Sequence, residues 1–287
     1  IILILSTKSK TTLYKKFNSI HCVCKMHLLG GHFVSSLMLM NPLNAKELTF
    51  CHEDSESFPW IMKNNSGLNM IEIQEIEKKL TDIKIKFTAA PWKRCLEELK
   101  ENKFDGVFAG SYKADRLENG AYPGIPLGSK EGKPDDSKRT HTSEYALYIK
   151  KGSNIHWDGS KITGAKKVGA QSGFSIVDLL NKQKEMKNID TVEDSAKTSV
   201  ALINNVSKGN LDAAAMLVFQ ADNTIKSNKE FSNVIKLDPP LEKKSYFLIL
   251  SHKLVKEDPE LAKKIWKNLE EVRESKEYKA KIKEILK

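Results

Sequence analysis

Apolar and polar residues alternate along the chain in patterns that predict strands and helices in turn. Strict alternation over 83–87 predicts a strand with one wetted face. Apolar residues at helical spacing over 67–80 predict a helix, and Pro91 is placed to open another, because proline is tolerated in the first turn. Apolar runs at 47–52 and 104–109 predict two more strands. This order is typical of a parallel sheet covered by helices.

The second half of the chain repeats the same order. It shows a strand at 167–170, helices at 176–184 and 200–206, and a strand at 211–219. In addition, segments 96–107 and 202–214 look like copies of one helix–turn–strand unit, although that order also arises by chance. We therefore predict two similar α/β lobes.

The remaining segments connect the lobes or close the chain. A stretch rich in Gly, Pro, Lys and Asp at 122–141 predicts a long surface loop. Strands at 144–149 and 245–250 flank the second half, and we predict that they pair as crossovers between the lobes. A C-terminal helix begins at 258–259, and a second short helix follows at 278–286.

The first 45 residues predict a leader that is removed on export. The chain opens with Ile1, and Met26 is a suitable internal start. After it an apolar stretch at 28–40 precedes the helix breaker Pro42 and the small residue Ala45, which is the layout of a secretory signal peptide. A buried core helix is the alternative, but a strand-like segment follows at once. We expect cleavage after Ala45 and a periplasmic location.

Composition narrows the range of partners. With 40% apolar residues the chain of 287 residues is too apolar to be disordered, and no apolar run reaches the roughly 20 residues that span a bilayer. The net charge of +10 suggests nucleic acid. However, the leader carries five lysines and no acid, so 42 basic and 37 acidic residues remain, mixed along the chain. Such mixing is typical of a solvated surface, and we expect no nucleic-acid partner.

Cysteine and histidine spacing predicts neither a metal site nor a catalytic set. Cys51 and Cys95 remain after the leader, and two cysteines without CxxC spacing do not make a zinc site. They could pair in an oxidising compartment or stay as buried thiols, and the sequence leaves both open. No HxxxH spacing, GxSxG elbow or phosphate loop is present. We therefore expect no metal, no cofactor and no enzymatic activity.

Polar and aromatic residues follow the ends of the predicted strands, where open parallel sheets bind ligands. Arg116 can hold a carboxylate with two parallel hydrogen bonds, and 171–175 opens a helix whose free N–H groups suit an anion. Trp60 and Trp92 can pack on an apolar part of a solute. The alternatives are a surface position for Arg116, a core position for Trp92 and an ordinary helix start at Ser172-Gly173. The candidate ligand-binding residues are Glu53, Trp60, Trp92, Ser111, Arg116, Gln171, Gly173, Phe174 and Ser175.

Short motifs recur along the chain in a fixed order. They are Glu53, Phe58-Pro59-Trp60, Gly67-Leu68, Pro91-Trp92-Lys93-Arg94-Cys95-Leu96, Asp105-Gly106, Asp115-Arg116, Gly169-Ala170-Gln171-Ser172-Gly173 and Leu211-Asp212-Ala213. The order and spacing of these motifs resemble those of the family 3 extracellular solute-binding proteins. The resemblance covers nearly all of 46–287. That family has the type II periplasmic binding fold and delivers amino acids and similar solutes to ABC importers.

The resemblance implies an α/β fold of two lobes, each a mostly parallel sheet flanked by helices, joined by a two-stranded hinge. Lobe 1 would comprise 46–143 and 246–287, and lobe 2 would comprise 144–245. The resemblance also implies that Arg116 grips the carboxylate of the solute, with the hydroxyl of Ser111 beside it. The contacts from lobe 2 carry over to Gln171, Gly173, Phe174 and Ser175.

Leu217 departs from the pattern of that family. Amino-acid binders of the family usually have an aspartate at this position, five residues after the one that corresponds to Asp212, and it holds the α-ammonium of the solute. A leucine cannot neutralise a buried ammonium. Either Glu53 or Asp54 therefore takes that role, or the solute has no α-ammonium.

We expect a monomeric periplasmic protein that captures a small carboxylated solute, an amino acid or a related acid, by hinge closure. Its second partner would be the membrane permease of an ABC importer. Two alternatives remain. One is a dehydratase-like enzyme on the same fold with Glu53 as acid or base, and the other is a ligand-sensing subunit of a membrane receptor. The identity of the solute stays open.

Overall fold

The computed structural model describes residues 45–64 and 66–286. The predicted leader lies outside the described residues except for Ala45. The strands are β1 (Lys46–Glu53), β2 (Ile83–Ala90), β3 (Gly106–Ser111), β4 (His141–Lys150), β5 (His156–Trp157), β6 (Ile162–Thr163), β7 (Lys167–Gln171), β8 (Thr191–Ala196), β9 (Ala213–Leu217), β10 (Val234–Lys236) and β11 (Glu242–Leu250). The helices are α1 (Leu68–Lys79), α2 (Trp92–Lys100), α3 (Val177–Glu185), α4 (Ser199–Lys208), α5 (Val218–Ser227), α6 (His252–Glu257), α7 (Pro259–Glu274) and α8 (Lys276–Ile285). Short 3-10 turns lie at Ala114–Glu118, Asp136–Lys138 and Lys229–Phe231.

A single curled sheet, in the order β2-β1-β3-β11-β4-β9-β7-β8, runs through the described part of the chain. Strands β1, β2 and β3 are parallel and form what we call the first strand group. Strands β7, β8 and β9 are likewise parallel and form the second strand group. Between the groups, β4 and β11 pair antiparallel, as predicted for the crossover strands. Strand β10 pairs antiparallel with the last three residues of β4. Strands β5 and β6 pair with each other in a separate antiparallel ribbon.

Helices cover both faces of each strand group. Successive residues of a strand point to opposite faces, so neighbouring residues pack against different helices. In β1, Phe50 belongs to an apolar cluster that contains α1 and α7, whereas Cys51 belongs to one that contains α2. In β9, Ala213 and Ala214 divide in the same way between the two clusters of the second group. Within the described ranges, no helix combines the length and the apolar character that crossing a membrane requires.

The two segments that look alike in sequence make the same hydrogen bonds. The Asp105 N–H donates to the carbonyl of Thr49 at 2.9 Å, and the Asp105 carboxylate accepts from the Thr49 N–H at 2.8 Å. Asp212 bonds to Lys167 in the same two ways, at 3.0 and 2.7 Å. In each strand group, an aspartate at the end of a helix–turn unit therefore fixes a neighbouring parallel strand.

Most predicted elements are present within a few residues, but two strands differ. The strand predicted at 211–219 is wrong at both ends, because β9 covers Ala213–Leu217 and α5 begins at Val218. An apolar run alone does not separate a strand from the start of a helix. The strand predicted at 104–109 is displaced by two residues. Strand β8 was not predicted, because most of its residues are polar and none is fully buried.

A disulfide joins Cys51 of β1 to Cys95 of α2. Of the two alternatives for these cysteines, pairing is therefore the one found in the structure. The Cα atoms lie 5.7 Å apart, within the ordinary range for a disulfide. Both residues are fully buried. The bond fastens the first turn of α2 to the end of β1, two residues before Glu53.

Candidate functional site

A cavity lies where the first strand group, the two antiparallel strands and the loop before α3 meet. Its wall consists of Glu53, Ser57, Trp60, Ile61, Trp92, Phe108, Ala109, Ser111, Arg116, His141, Tyr145, Phe174, Ser175, Leu217 and Tyr246. The centres of water molecules can occupy about 40 Å³ of it, which is room for a few waters. A cavity of this volume suits a small solute.

The guanidinium of Arg116 is buried in the cavity wall. Its Nη1 donates to the carbonyl of Ser111 at 2.6 Å and to the Ser111 hydroxyl at 3.0 Å, and its Nη2 donates to the carbonyl of Gly173 at 2.9 Å. The Cζ atom lies 5.4 Å from the centre of the Trp92 ring, in cation–π contact. Among the described side chains, no carboxylate comes within 4 Å of this guanidinium. A buried positive charge without a carboxylate partner calls for an anion.

Four buried hydroxyls surround this end of the cavity. The Ser111 hydroxyl donates to that of Ser175 at 2.9 Å, and the Tyr246 hydroxyl donates to that of Tyr145 at 3.1 Å. Burial raises the pKa of Tyr145 to about 12, and it raises the pKa of Tyr246 as well. Both tyrosines are therefore uncharged at neutral pH and can donate to an anion.

The turn between β7 and α3 adds backbone N–H groups. The Phe174 N–H donates to the carbonyl of Gln171 at 3.1 Å, whereas the N–H groups of Gly173 and Ser175 meet no described acceptor. Gly173 has φ +77°, and a Cβ there would lie 3.1 Å from Cγ of Lys93. The turn can therefore lie against the start of α2 because residue 173 is a glycine. Free N–H groups before a helix suit an anion.

Glu53 ends β1 on the other side of the cavity. Its carboxyl contacts that of Asp54, the side chain of Ser55 and the N–H of Trp92. Burial, and after it the Asp54 carboxyl, raises the pKa of Glu53 from the usual 4.5 to about 7. Asp54 is exposed and does not line the cavity. Of the two acids considered for holding an ammonium, the structure brings Glu53 to the wall and leaves Asp54 outside.

A stack of rings closes the floor of the cavity. The His141 ring lies 3.8 Å from that of Trp60 and 4.7 Å from that of Tyr246, nearly parallel to both. Nδ1 of His141 is 3.1 Å from Oδ1 of Asn69, and the indole N–H of Trp60 donates to the Ser143 hydroxyl at 3.0 Å. Burial lowers the pKa of His141 well below its ordinary value, so the ring is neutral at pH 7.

A β-bulge shapes the wall in β3. Its pairing with β11 shifts between Phe247 and Ile249, and Ala109 has φ +63°. Phe108 and Ala109 both line the cavity, although neighbouring residues of a regular strand face opposite sides. The bulge therefore turns two consecutive residues towards the site.

The structure brings seven of the nine candidate residues to the cavity wall. These are Glu53, Trp60, Trp92, Ser111, Arg116, Phe174 and Ser175. Gln171 and Gly173 are not part of the wall. The Gln171 amide donates to the Ser55 hydroxyl at 3.3 Å and to the carbonyl of Lys197 at 2.9 Å, and Gly173 presents its carbonyl to Arg116. Leu217, the departure noted above, does line the cavity.

Sequence reasoning missed several lining residues, and three of them lie on the antiparallel strands β4 and β11. Tyr145 and Tyr246 lie on β4 and β11, and His141 begins β4. The sequence did carry a signal for these three residues. Strands that are predicted to cross between two strand groups must border any space between the groups. Ser57, Ile61, Phe108 and Ala109 had no comparable signal, since their positions depend on a loop and a bulge. Within 45–64 and 66–286, no three His, Cys, Asp or Glu side chains are placed to hold a metal ion.

Solved structures resemble this chain over most of its length. An ancestral arginine-binding protein bound to arginine aligns with TM-score 0.67 and 18% identity, covering 85% of this chain and 100% of that one. A histidine kinase sensor domain with similarity to periplasmic binding proteins has TM-score 0.65, 16% identity and coverage of 84% and 97%. A structure from work on glutathione import via GshT and the cystine importer TcyBC of Streptococcus mutans has TM-score 0.63, 19% identity and coverage of 80% and 90%. No family model and no curated protein matches the sequence.

These similarities establish the fold. The chain has the α/β, two-lobed fold of type II periplasmic binding proteins, as its sequence motifs predict. The candidate site lies between the two strand groups of that fold.

Proposed function

We propose that this protein is a periplasmic solute-binding protein of the family 3 type that captures a small carboxylated solute, an amino acid or a related acid. The observation that carries the proposal is the buried guanidinium of Arg116, which lines a cavity and lacks a described carboxylate partner. The hydroxyls of Ser111 and Ser175 lie beside it. A carboxylate placed there would receive charge-assisted hydrogen bonds from a preformed cluster of donors.

Capture would proceed by closure of two lobes, 46–143 with 246–287 and 144–245, around the pair formed by β4 and β11. Direct bonds already cross the cavity, from Arg116 to Gly173 and from Ser111 to Ser175. A solute that contacts both sides favours the closed state by its difference in affinity for the two states. The closed, monomeric protein would then deliver the solute to the permease of an ABC importer, the system named for one similar structure.

A thermal-shift screen against carboxylic acids and amino acids tests the binding proposal. A solute present at a hundred times its Kd should raise the Tm by about 5–10 °C. Arg116→Gln should abolish the shift, because the substitution removes the charge that holds the carboxylate. Arg94→Gln is the matched control, since Arg94 is exposed on α2 and pairs with Glu98. A full shift in Arg116→Gln, or no shift with any acid of the screen, contradicts the proposal.

A sensing role is the second candidate, because one similar structure is a kinase sensor domain. Deletion of the gene separates the two roles. Transport predicts loss of uptake of the bound acid at low concentration, whereas sensing predicts unchanged uptake and a lost transcriptional response.

An enzymatic role rests on Glu53, whose pKa of about 7 suits a general acid or base beside a bound substrate. It predicts turnover of the bound acid that Glu53→Gln abolishes. Recovery of the acid unchanged after prolonged incubation with the protein excludes this role.

A further inference from the structure

The cavity wall contains a small set of groups that can ionise, and most of them are neutral. His141 is buried between two rings, and burial keeps it uncharged at pH 7. Tyr145 and Tyr246 keep their protons for the same reason. Arg116 is always charged. Glu53 is the one acid among the described wall residues.

Glu53 is mostly protonated below pH 7, because burial and the Asp54 carboxyl disfavour its charge. Beyond Asp54, the neighbours of its carboxyl are the Ser55 side chain and the backbone of Trp92. The other ionisable groups on the adjoining elements are the buried His52 on the same strand, the exposed Lys93 and Arg94 at the start of α2, and the wall residues Arg116 and His141. Arg94 already pairs with Glu98 at 2.7 Å. At mildly acidic pH the wall therefore carries the single positive charge of Arg116.

Charged side chains near the turn before α3 pair with one another. Lys244, which donates to the carbonyl of Ser175 at 3.4 Å, lies 3.1 Å from the carboxylate of Glu242. Lys113 lies 3.1 Å from the carboxylate of Asp178 and 3.3 Å from that of Asp115. Each of these carboxylates pairs with a lysine, and among the described residues none comes within 4 Å of the Arg116 guanidinium.

From this charge balance we infer that the closed site takes a monocarboxylate without an ammonium group, whose other atoms are apolar or carry neutral hydrogen-bonding groups such as a 2-oxo or 2-hydroxy group. The inference rests on the proposed function and narrows its solute class. A monoanion neutralises the enclosed charge of Arg116. While Glu53 keeps its proton, a zwitterion adds no net charge to the wall and would leave one positive charge buried, which is unfavourable.

The side of the cavity that faces Arg116 from the second strand group supports this solute class. Leu217 ends β9 and pairs with Tyr145 of β4, and Phe174 and Ser175 lie in the turn before α3. None of these residues can neutralise an ammonium group. The apolar side chains suit a short hydrocarbon chain, and the hydroxyl of Tyr145 suits an oxo or hydroxy oxygen.

Proton linkage distinguishes the two solute classes. A bound monoanion favours the protonated form of Glu53, so its binding takes up a proton and weakens as the pH rises through 7. If binding requires protonated Glu53, the Kd should rise about tenfold between pH 6 and pH 8. A zwitterion that binds ionised Glu53 would show the opposite trend.

The test is calorimetric titration of the purified protein with matched pairs: pyruvate and L-alanine, 4-methyl-2-oxopentanoate and L-leucine, and phenylpyruvate and L-phenylalanine. We expect an oxo acid to bind at least tenfold more tightly than its amino acid, and its Kd to rise between pH 6 and 8. In Glu53→Gln the pH dependence should disappear. Tighter binding of the amino acids, or affinity that increases with pH, overturns the inference.

Substitution of Leu217 provides a second, independent measurement. Leu217→Asp adds a carboxylate to the wall and should weaken oxo-acid binding at least tenfold while strengthening binding of the paired amino acid. Leu217→Asn is the matched control, of similar size and without charge, and should not reverse the preference. An unchanged preference in a folded Leu217→Asp protein counts against the inference. Amino-acid binding that is tighter than oxo-acid binding and requires Arg116 overturns the inference alone, whereas binding that is unaffected by Arg116→Gln overturns the proposed function too.

Discussion

At the scale of single residues, burial acts in opposite ways on the two ionisable groups that define the site. Arg116 keeps its charge at any pH that the protein meets. Because the guanidinium is buried, its charge is unfavourable unless an anion neutralises it. Glu53 can lose its charge by binding a proton, and its pKa of about 7 shows that burial favours this form. One group therefore sets the charge of the solute, and the other makes its capture sensitive to pH.

Glu53→Gln should stabilise the protein at high pH. The raised pKa means that the folded state keeps a proton which the unfolded state releases, so the wild type loses stability as the pH rises from about 4.5 to about 7. The difference between these values corresponds to about 3 kcal/mol. Denaturant unfolding at pH 4 and pH 8 measures the effect. The exposed Glu131→Gln is the control, and equal stabilities of wild type and Glu53→Gln at pH 8 contradict the account.

Residues that lie directly after predicted strands could be assigned to the site from sequence. Glu53, Ser111 and Arg116 are examples, because parallel strands place their carboxyl ends together. The partners of each side chain could not be assigned. Whether the Gln171 amide faces the cavity or bonds to Ser55 and Lys197 depends on packing between distant segments.

At the scale of elements, the geometry of the site depends on how β1 and α2 are joined. β1 ends at Glu53, and Trp92, the first residue of α2, lines the same cavity and lies under Arg116. The disulfide between Cys51 and Cys95 crosses the same junction. It therefore holds together two elements that both supply residues to the wall.

Reduction of the disulfide should lower the free energy of unfolding. The bond closes a loop with a sequence separation of 44 residues, and loop-closure entropy predicts a loss of about 4 kcal/mol. Comparison of denaturant unfolding with and without a phosphine reductant measures it. The double substitution Cys51→Ala with Cys95→Ala serves as control, because it should respond to no reductant. Equal midpoints for the oxidised and reduced wild type would show that the bond contributes nothing.

Elements whose apolar residues recur at helical or strand spacing were predictable from the sequence, and elements without such periodicity were not. The helix predicted at 67–80 is α1, and the aspartate bonds of Asp105 and Asp212 give the sequence similarity of their two segments a physical basis. Strand β8 has no buried residue, so the pattern of apolar residues does not predict it. Its position depends on hydrogen bonding to β7. The end of β9 was missed because α5 continues its apolar run.

At the scale of the whole molecule, the two strand groups meet through bonds that surround the cavity. Beyond the contacts of Arg116 and Ser111, the Lys113 ammonium lies 3.1 Å from the Asp178 carboxylate, and the rings of Trp60 and Phe219 meet edge to face. Most of these contacts are polar, whereas the clusters inside each group are apolar. Under the proposed function, opening would separate these contacts and leave both apolar cores intact.

Solution X-ray scattering of the purified protein, with and without the acid that the screen identifies, tests the central claim most directly. The account predicts that the acid reduces the radius of gyration of the wild type, because a carboxylate at Arg116 closes the two lobes. In Arg116→Gln the same acid should leave the radius unchanged. A wild-type radius that stays constant while calorimetry shows saturated binding would contradict the account.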